Sequence, residues 1–89
     1  MKIKLELFGA SRDFSLKDHL EFDIKEKIEI KDFRKEIISY LDKNFNGNKN
    51  FRKIVETSVF CSEDNNIVND SYKISKDQII GIIPPIGGG

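Results

Sequence analysis

The residues of this chain best suited to chemistry are its last six, Pro84-Pro85-Ile86-Gly87-Gly88-Gly89. The reactive group among them is no side chain but the main-chain carboxylate of Gly89, expected to stand free at the chain end. An unhindered carboxylate can attack the α-phosphate of ATP in a partner's site, and the resulting acyl-adenylate then accepts a nucleophile. The residues before it suit that task. Pro84 and Pro85 offer no amide hydrogen to a sheet and favour extended backbone, so they are expected to launch the tail away from the domain. Six residues reach about 20 Å at roughly 3.3 Å each. Glycine has no Cβ, so Gly87 and Gly88 can enter a channel too narrow for other residues. Pro84, Pro85, Ile86, Gly87 and Gly88 are therefore read as the channel-entering stretch and Gly89 as the reacting residue. A frayed terminus or a cloning linker would account for glycines alone. It does not account for a proline pair four residues upstream, which with terminal Gly-Gly arises by chance roughly once in 100,000.

Other chemistry is thin. His19 is the single histidine and sits among charges at a strand edge, where a solvated surface role is expected. Cys61 occupies a strand position with no second cysteine, which suits a small core or sheet residue better than a reactive thiol. Glu63, Asp64 and Asp70 flank turns, and turn formation explains them more simply than metal binding. No metal-ligand spacing, hydrolase triad or phosphate-binding glycine loop appears in the sequence.

The elements that must position the tail follow from periodicity. Lys2 to Phe8 alternates, with Ile3, Leu5 and Leu7 on one face, as a half-buried strand does. Gly9 to Lys17 reads as a loop, and His19 to Ile24 as a second strand antiparallel to the first. From Asp32, a plausible N-cap, the period becomes helical: Phe33, Ile37, Tyr40, Leu41 and Phe45 form one stripe, and Asn46-Gly47 ends it. Asn44, Asn46, Asn48 and Asn50 make the next stretch a polar loop. Thr57 to Ser62 is a third strand, Ile67-Val68 its short returning arm, and Asn69 to Lys76 a connection. Gln78 to Ile83 is the last strand, apolar on both faces as a central strand would be, and expected beside the first. The order implies an α+β fold: a mixed sheet of four to five strands, one main crossing helix and a flexible Gly-Gly tail. The domain is expected over residues 1–83 and the tail over 84–89.

Composition bounds the partners. Eighty-nine residues make one small domain with 38 % hydrophobic content, concentrated in 14 Ile and 7 Phe. Fifteen basic and fifteen acidic residues cancel, so no overall field favours nucleic acid or a membrane surface. One cysteine precludes an internal disulfide and fits a reducing compartment. No signal peptide or spanning run is expected, which makes the cytoplasm the default location.

The ending Pro84-Pro85-Ile86-Gly87-Gly88-Gly89 resembles that of the small subunit of molybdopterin synthase, a ubiquitin-like sulfur-carrier family that closes on Pro-Pro-x-x-Gly-Gly. Phe8-Gly9-Ala10-Ser11-Arg12-Asp13 is loosely similar to that family's aromatic-Ala-x-x-Arg-Glu segment. The resemblance implies a ubiquitin-like β-grasp, which the element order supports separately. It also implies that the Gly89 carboxylate is adenylated by an enzyme similar to ubiquitin's activating enzyme and converted to a thiocarboxylate with a sulfurtransferase. The sulfur would then pass to precursor Z in a pocket of the large synthase subunit. No cofactor is expected on this chain, with ATP used by the activating partner, and the complex would hold two copies of each subunit. An apolar sheet face near the tail is expected to dock on the large subunit, with Ile86 and Phe60 as anchors. Two other readings stay open: a carrier for thiazole or tRNA thiolation or a protein-conjugated modifier, and a β-grasp binding module with an inert tail.

Overall fold

The computed structural model describes residues 1–86; the expected Gly-Gly tail and its channel residues Gly87 and Gly88, with Gly89, lie outside the described residues. Lys2–Leu7 forms strand β1, its odd positions Ile3, Leu5 and Leu7 buried as the alternation requires. A 3-10 helix over Gly9–Phe14 leads to β2 (His19–Asp23), which pairs antiparallel with β1. The two-residue strand β3 (Ile28–Glu29) runs directly into helix α1 (Ile30–Asn44). Then come α2 (Lys49–Thr57), β4 (Val59–Cys61), β5 (Ile67–Val68), β6 (Lys73–Ile74) and β7 (Gln78–Ile83).

The main sheet has the order β2-β1-β7-β4-β5. Its centre is β7, parallel to β1 on one side and antiparallel to β4 on the other. That position explains the apolar run: Ile80 and Ile82 face the helices and are fully buried, while Ile79 and Ile83 lie half-buried on the far side. Complete burial of one such side chain contributes about 1.5–3 kcal/mol. The stripe of α1 supplies Phe33, Ile37 and Leu41 to the same core, joined by Ile30, Val55 and Phe60. The mixed five-stranded sheet and one long helix match the expected α+β class. Among the described residues, no helix is long and apolar enough to cross a membrane.

Five local expectations need correction. The helix starts at Ile30, not after an Asp32 cap, because the chain opposite it does the capping: the amides of Ile30 and Lys31 donate to the carbonyls of Tyr72 and Asp70. Asp32 instead sits in the first turn, where its charge suits the helix dipole. The asparagine-rich stretch contains the start of a second helix, since Asn48 accepts a hydrogen bond from the Phe51 amide and so caps α2. That helix claims Thr57, leaving β4 only Val59 to Cys61 of the longer strand expected there. The connection from Asn69 to Lys76 holds β6, which pairs with β3 in a small second sheet, and the first loop holds the 3-10 turn.

Candidate functional site

Strand β7 leaves the sheet at Ile83, which pairs with Val59. The two prolines that follow part company. Pro84 is buried, whereas Pro85 is exposed and Ile86 is 99 % exposed. Gly9, whose φ of +55° suits glycine, stands beside the Pro84 ring: a Cβ built there would lie 3.8 Å from Pro84 Cδ. Gly9 and Ala10 thus stand on one side of the root of the tail. Ser11 holds its turn closed, accepting from the Phe8 amide at 2.9 Å and donating to the Phe8 carbonyl at 2.6 Å.

The other wall is α2. Asn50, Lys53, Ile54 and Thr57 recur at helical spacing and face the proline pair across a groove of about 260 Å³, with Ala10 on the far side. Both walls are braced from behind. The Phe51 ring stands 5.0 Å from Phe14 of the 3-10 helix and 4.9 Å from Phe45 after α1. At the C-terminal end of α2, Arg34 Nη1 donates to the carbonyls of Val55 at 2.6 Å and Ser58 at 2.8 Å. Its Nη2 pairs with Asp70 Oδ1 at 2.6 Å, and its guanidinium lies 4.8 Å from the centre of the Phe60 ring.

On the sheet face away from the helices, the strands beside the tail carry an apolar patch. Phe8 is 40 % exposed, Val59 44 % and Ile67 67 %. With Cys61, Asn65 and Ile83, Phe8 and Ile67 line a groove of about 350 Å³. Gly81 lies beneath: a Cβ there would fall 2.7 Å from Cys61 Sγ and 3.2 Å from Phe8 Cε2, so the bare backbone lets thiol and ring settle onto the central strand. Phe60, expected as a surface anchor, is instead 0 % exposed and part of the core. The expected patch survives with a one-residue change of facing, to Val59 and Cys61. Apolar residues on both faces of a three-residue strand hide its direction, and only its register against β7 settles it.

The remaining candidates stand apart from the tail. His19 lies on β2, across β1 from β7, with Nδ1 2.9 Å from Asp18 and Nε2 3.4 Å from Glu21. The bond from His19 holds the Asp18 carboxyl below the usual carboxylate range. Glu63 and Asp64 occupy the β4–β5 turn, and Asp70 is taken by Arg34. Sequence reasoning missed α2 and its stripe, Arg34, and the exposed trio Phe8, Val59 and Ile67. The spacing of Asn50, Lys53, Ile54 and Thr57 was a usable signal, masked by the asparagines ahead of it.

No family model matches the chain. Nor does any curated protein match it by sequence. Solved structures do match. A protein provisionally described as molybdopterin converting factor, subunit 1, from Pyrococcus furiosus superposes with a TM-score of 0.69 at 19 % identity, over 96 % of this chain and 98 % of that one. The crystal structure of SAMP1 from Haloferax volcanii also gives 0.69, at 11 % identity over 100 % of both chains. At such identities the likeness establishes the fold, and the fold is the ubiquitin-like β-grasp.

Proposed function

We propose that this chain is a ubiquitin-like sulfur carrier acting as the small subunit of a molybdopterin synthase. The observation that supports this reading most is the run from the buried centre of the sheet straight into Pro84-Pro85-Ile86-Gly87-Gly88-Gly89, on a fold shared with a molybdopterin converting factor subunit. A strand held on both sides gives the tail a fixed origin, and small residues give it passage. In this reading the Gly89 carboxylate attacks the α-phosphate of ATP on an adenylating partner and pyrophosphate leaves. A sulfurtransferase then delivers sulfide-level sulfur, which attacks the acyl carbon; AMP leaves, and the product is a thiocarboxylate. That sulfur goes to precursor Z in the pocket of the large subunit, which supplies the catalytic lysines. The chain itself binds no cofactor and works in the cytoplasm, docking through the patch of Phe8, Val59 and Ile67.

A second reading, covalent attachment of Gly89 to lysines of other proteins, is favoured by the equally close superposition on SAMP1. Both share the adenylation step and diverge after it. One experiment separates them: intact mass of the chain co-expressed with its adenylating and sulfur-supplying partners. A gain of about 16 Da, oxygen exchanged for sulfur, is the expected result for a carrier. Higher-mass lysine adducts favour the modifier, and an unchanged mass with no adducts leaves only an inert binding module.

A further inference from the structure

We infer that Pro84 is a fixed root for the tail and that Gly9, Ala10, Ile54 and Thr57 are positioning residues that aim it. The inference rests on the carrier reading for its consequence, though not for its geometry. A proline pair in sequence suggests two equivalent spacers. In the structure they differ: Pro84 is buried beyond the end of the sheet, and Pro85 is exposed one residue later. Around Pro84 stand the 3-10 segment and α2: a Cβ placed on Gly9 would come within 3.8 Å of the Pro84 ring, and Ala10 and the α2 stripe line the groove beside both prolines. Neither wall belongs to the sheet, and each is held by contacts that do not involve the tail. The Phe14–Phe51–Phe45 rings tie the 3-10 helix to α2 and α2 to the end of α1, while Arg34 pins the carbonyls at the α2 terminus.

The rest follows from chain statistics. A tail that begins to wander at Ile83 would sweep a larger volume than one whose first residue beyond the strand is seated. Proline adds to this, because its ring fixes φ and leaves Pro84 one soft backbone torsion for the socket to hold. Fixing one residue in advance is worth roughly tenfold in any step that needs it ordered. The socket thus supplies direction before a partner is met, and length and narrowness belong to the glycines beyond.

The test has two arms. In the first, backbone order of the Ile86 amide is measured by nitrogen-15 relaxation on the full chain, alone in solution. Wild type should keep an order parameter above about 0.6, and Pro84→Gly and Ile54→Ala should fall below it. Ile54→Leu should restore it, and Ile37→Val, a core change away from the groove, should lower Tm without moving it. In the second arm, thiocarboxylate formation by the adenylating and sulfur-supplying partners is followed for the same variants. Ile54→Ala and Pro84→Gly should raise KM about tenfold with kcat nearly kept, whereas Ile37→Val should change neither. Equal order at Ile86 in wild type, Pro84→Gly and Ile54→Ala would overturn the socket. Loss of order with unchanged KM would overturn the positioning role. If no variant, wild type included, acquires sulfur, the carrier reading fails while the first arm still decides the socket.

Discussion

The outer face of the sheet divides into two halves of opposite character. On β1 and β2 the outward positions are polar or charged and matched across the strands: Lys2 stands opposite Asp23, Lys4 opposite Glu21 and Glu6 opposite His19. On β7, β4 and β5 the outward positions are Ile83, Val59, Cys61 and Ile67, with Phe8 folded over Gly81. The charged half needs nothing from outside, because water solvates it and its cross-strand pairs are worth only about 0.2–1 kcal/mol each. The apolar half lies on the strands that launch the tail, and solvent gives it no comparable satisfaction. A single sheet thus carries a finished surface and an unfinished one side by side, and the unfinished one is next to the proposed chemistry.

The strongest test of that division separates docking from transfer. Deleting Gly89, adding one residue after it, or replacing Gly88 by Val should abolish sulfur transfer, while calorimetry with the large subunit still shows binding through the apolar half. Full transfer by any of the three would remove the thiocarboxylate or the narrow channel from the account. Next in size, Ile67→Asp or Val59→Asp should weaken association about tenfold or more, while Glu21→Lys on the charged half changes it by no more than about threefold. Equal losses on both halves would erase the distinction. Phe60→Asp, by contrast, should unfold the domain, because that ring sits in the core.

Smaller effects sharpen the boundary between the halves. Gly81→Ala places a methyl 2.7 Å from Cys61 Sγ and should cost about 1–3 kcal/mol in denaturant unfolding. The loss should shrink in the double variant with Cys61→Ala, which removes the nearer obstacle; an undiminished loss would assign the strain to Phe8. Smallest of all, Cys61→Ser should leave transfer nearly unchanged and stability lower by about 1 kcal/mol. A persulfide trapped on Cys61, with transfer lost in the variant, would move the sulfur chemistry to the sheet.

The strands and the long helix were legible because their patterns are long and regular. Lys2 to Leu7 alternates without a break, and Phe33 to Leu41 keeps the helical stripe across two turns. The β7 run declared a central strand through its isoleucines alone. What was hidden depends on contacts between distant parts of the chain. Nothing near Ile30 announces a helix start, because its caps are the carbonyls of Asp70 and Tyr72. Four asparagines suggested turns, and only the Asn48 side chain bonded to Phe51 reveals that one of them begins α2. The facing of Phe60 is fixed by register against Ile82, which no local pattern contains. At the site the proline pair was plain in sequence, yet its division into a seated residue and a free one required walls contributed by Gly9 and Ile54.

The parallel pairing of β1 with β7 has a further consequence, for the order in which the molecule is assembled. Ile3 lies beside Gln78, and Leu7 beside Ile82. Until that late strand arrives, the β1–β2 and β4–β5 hairpins share no neighbour and two strand edges stand open where the middle of the sheet should be. Closing so long a loop slows folding relative to a chain of local contacts. In the proposed carrier reading, an activating enzyme that requires the tail to leave a closed sheet would thereby select finished molecules, without any separate inspection of the core.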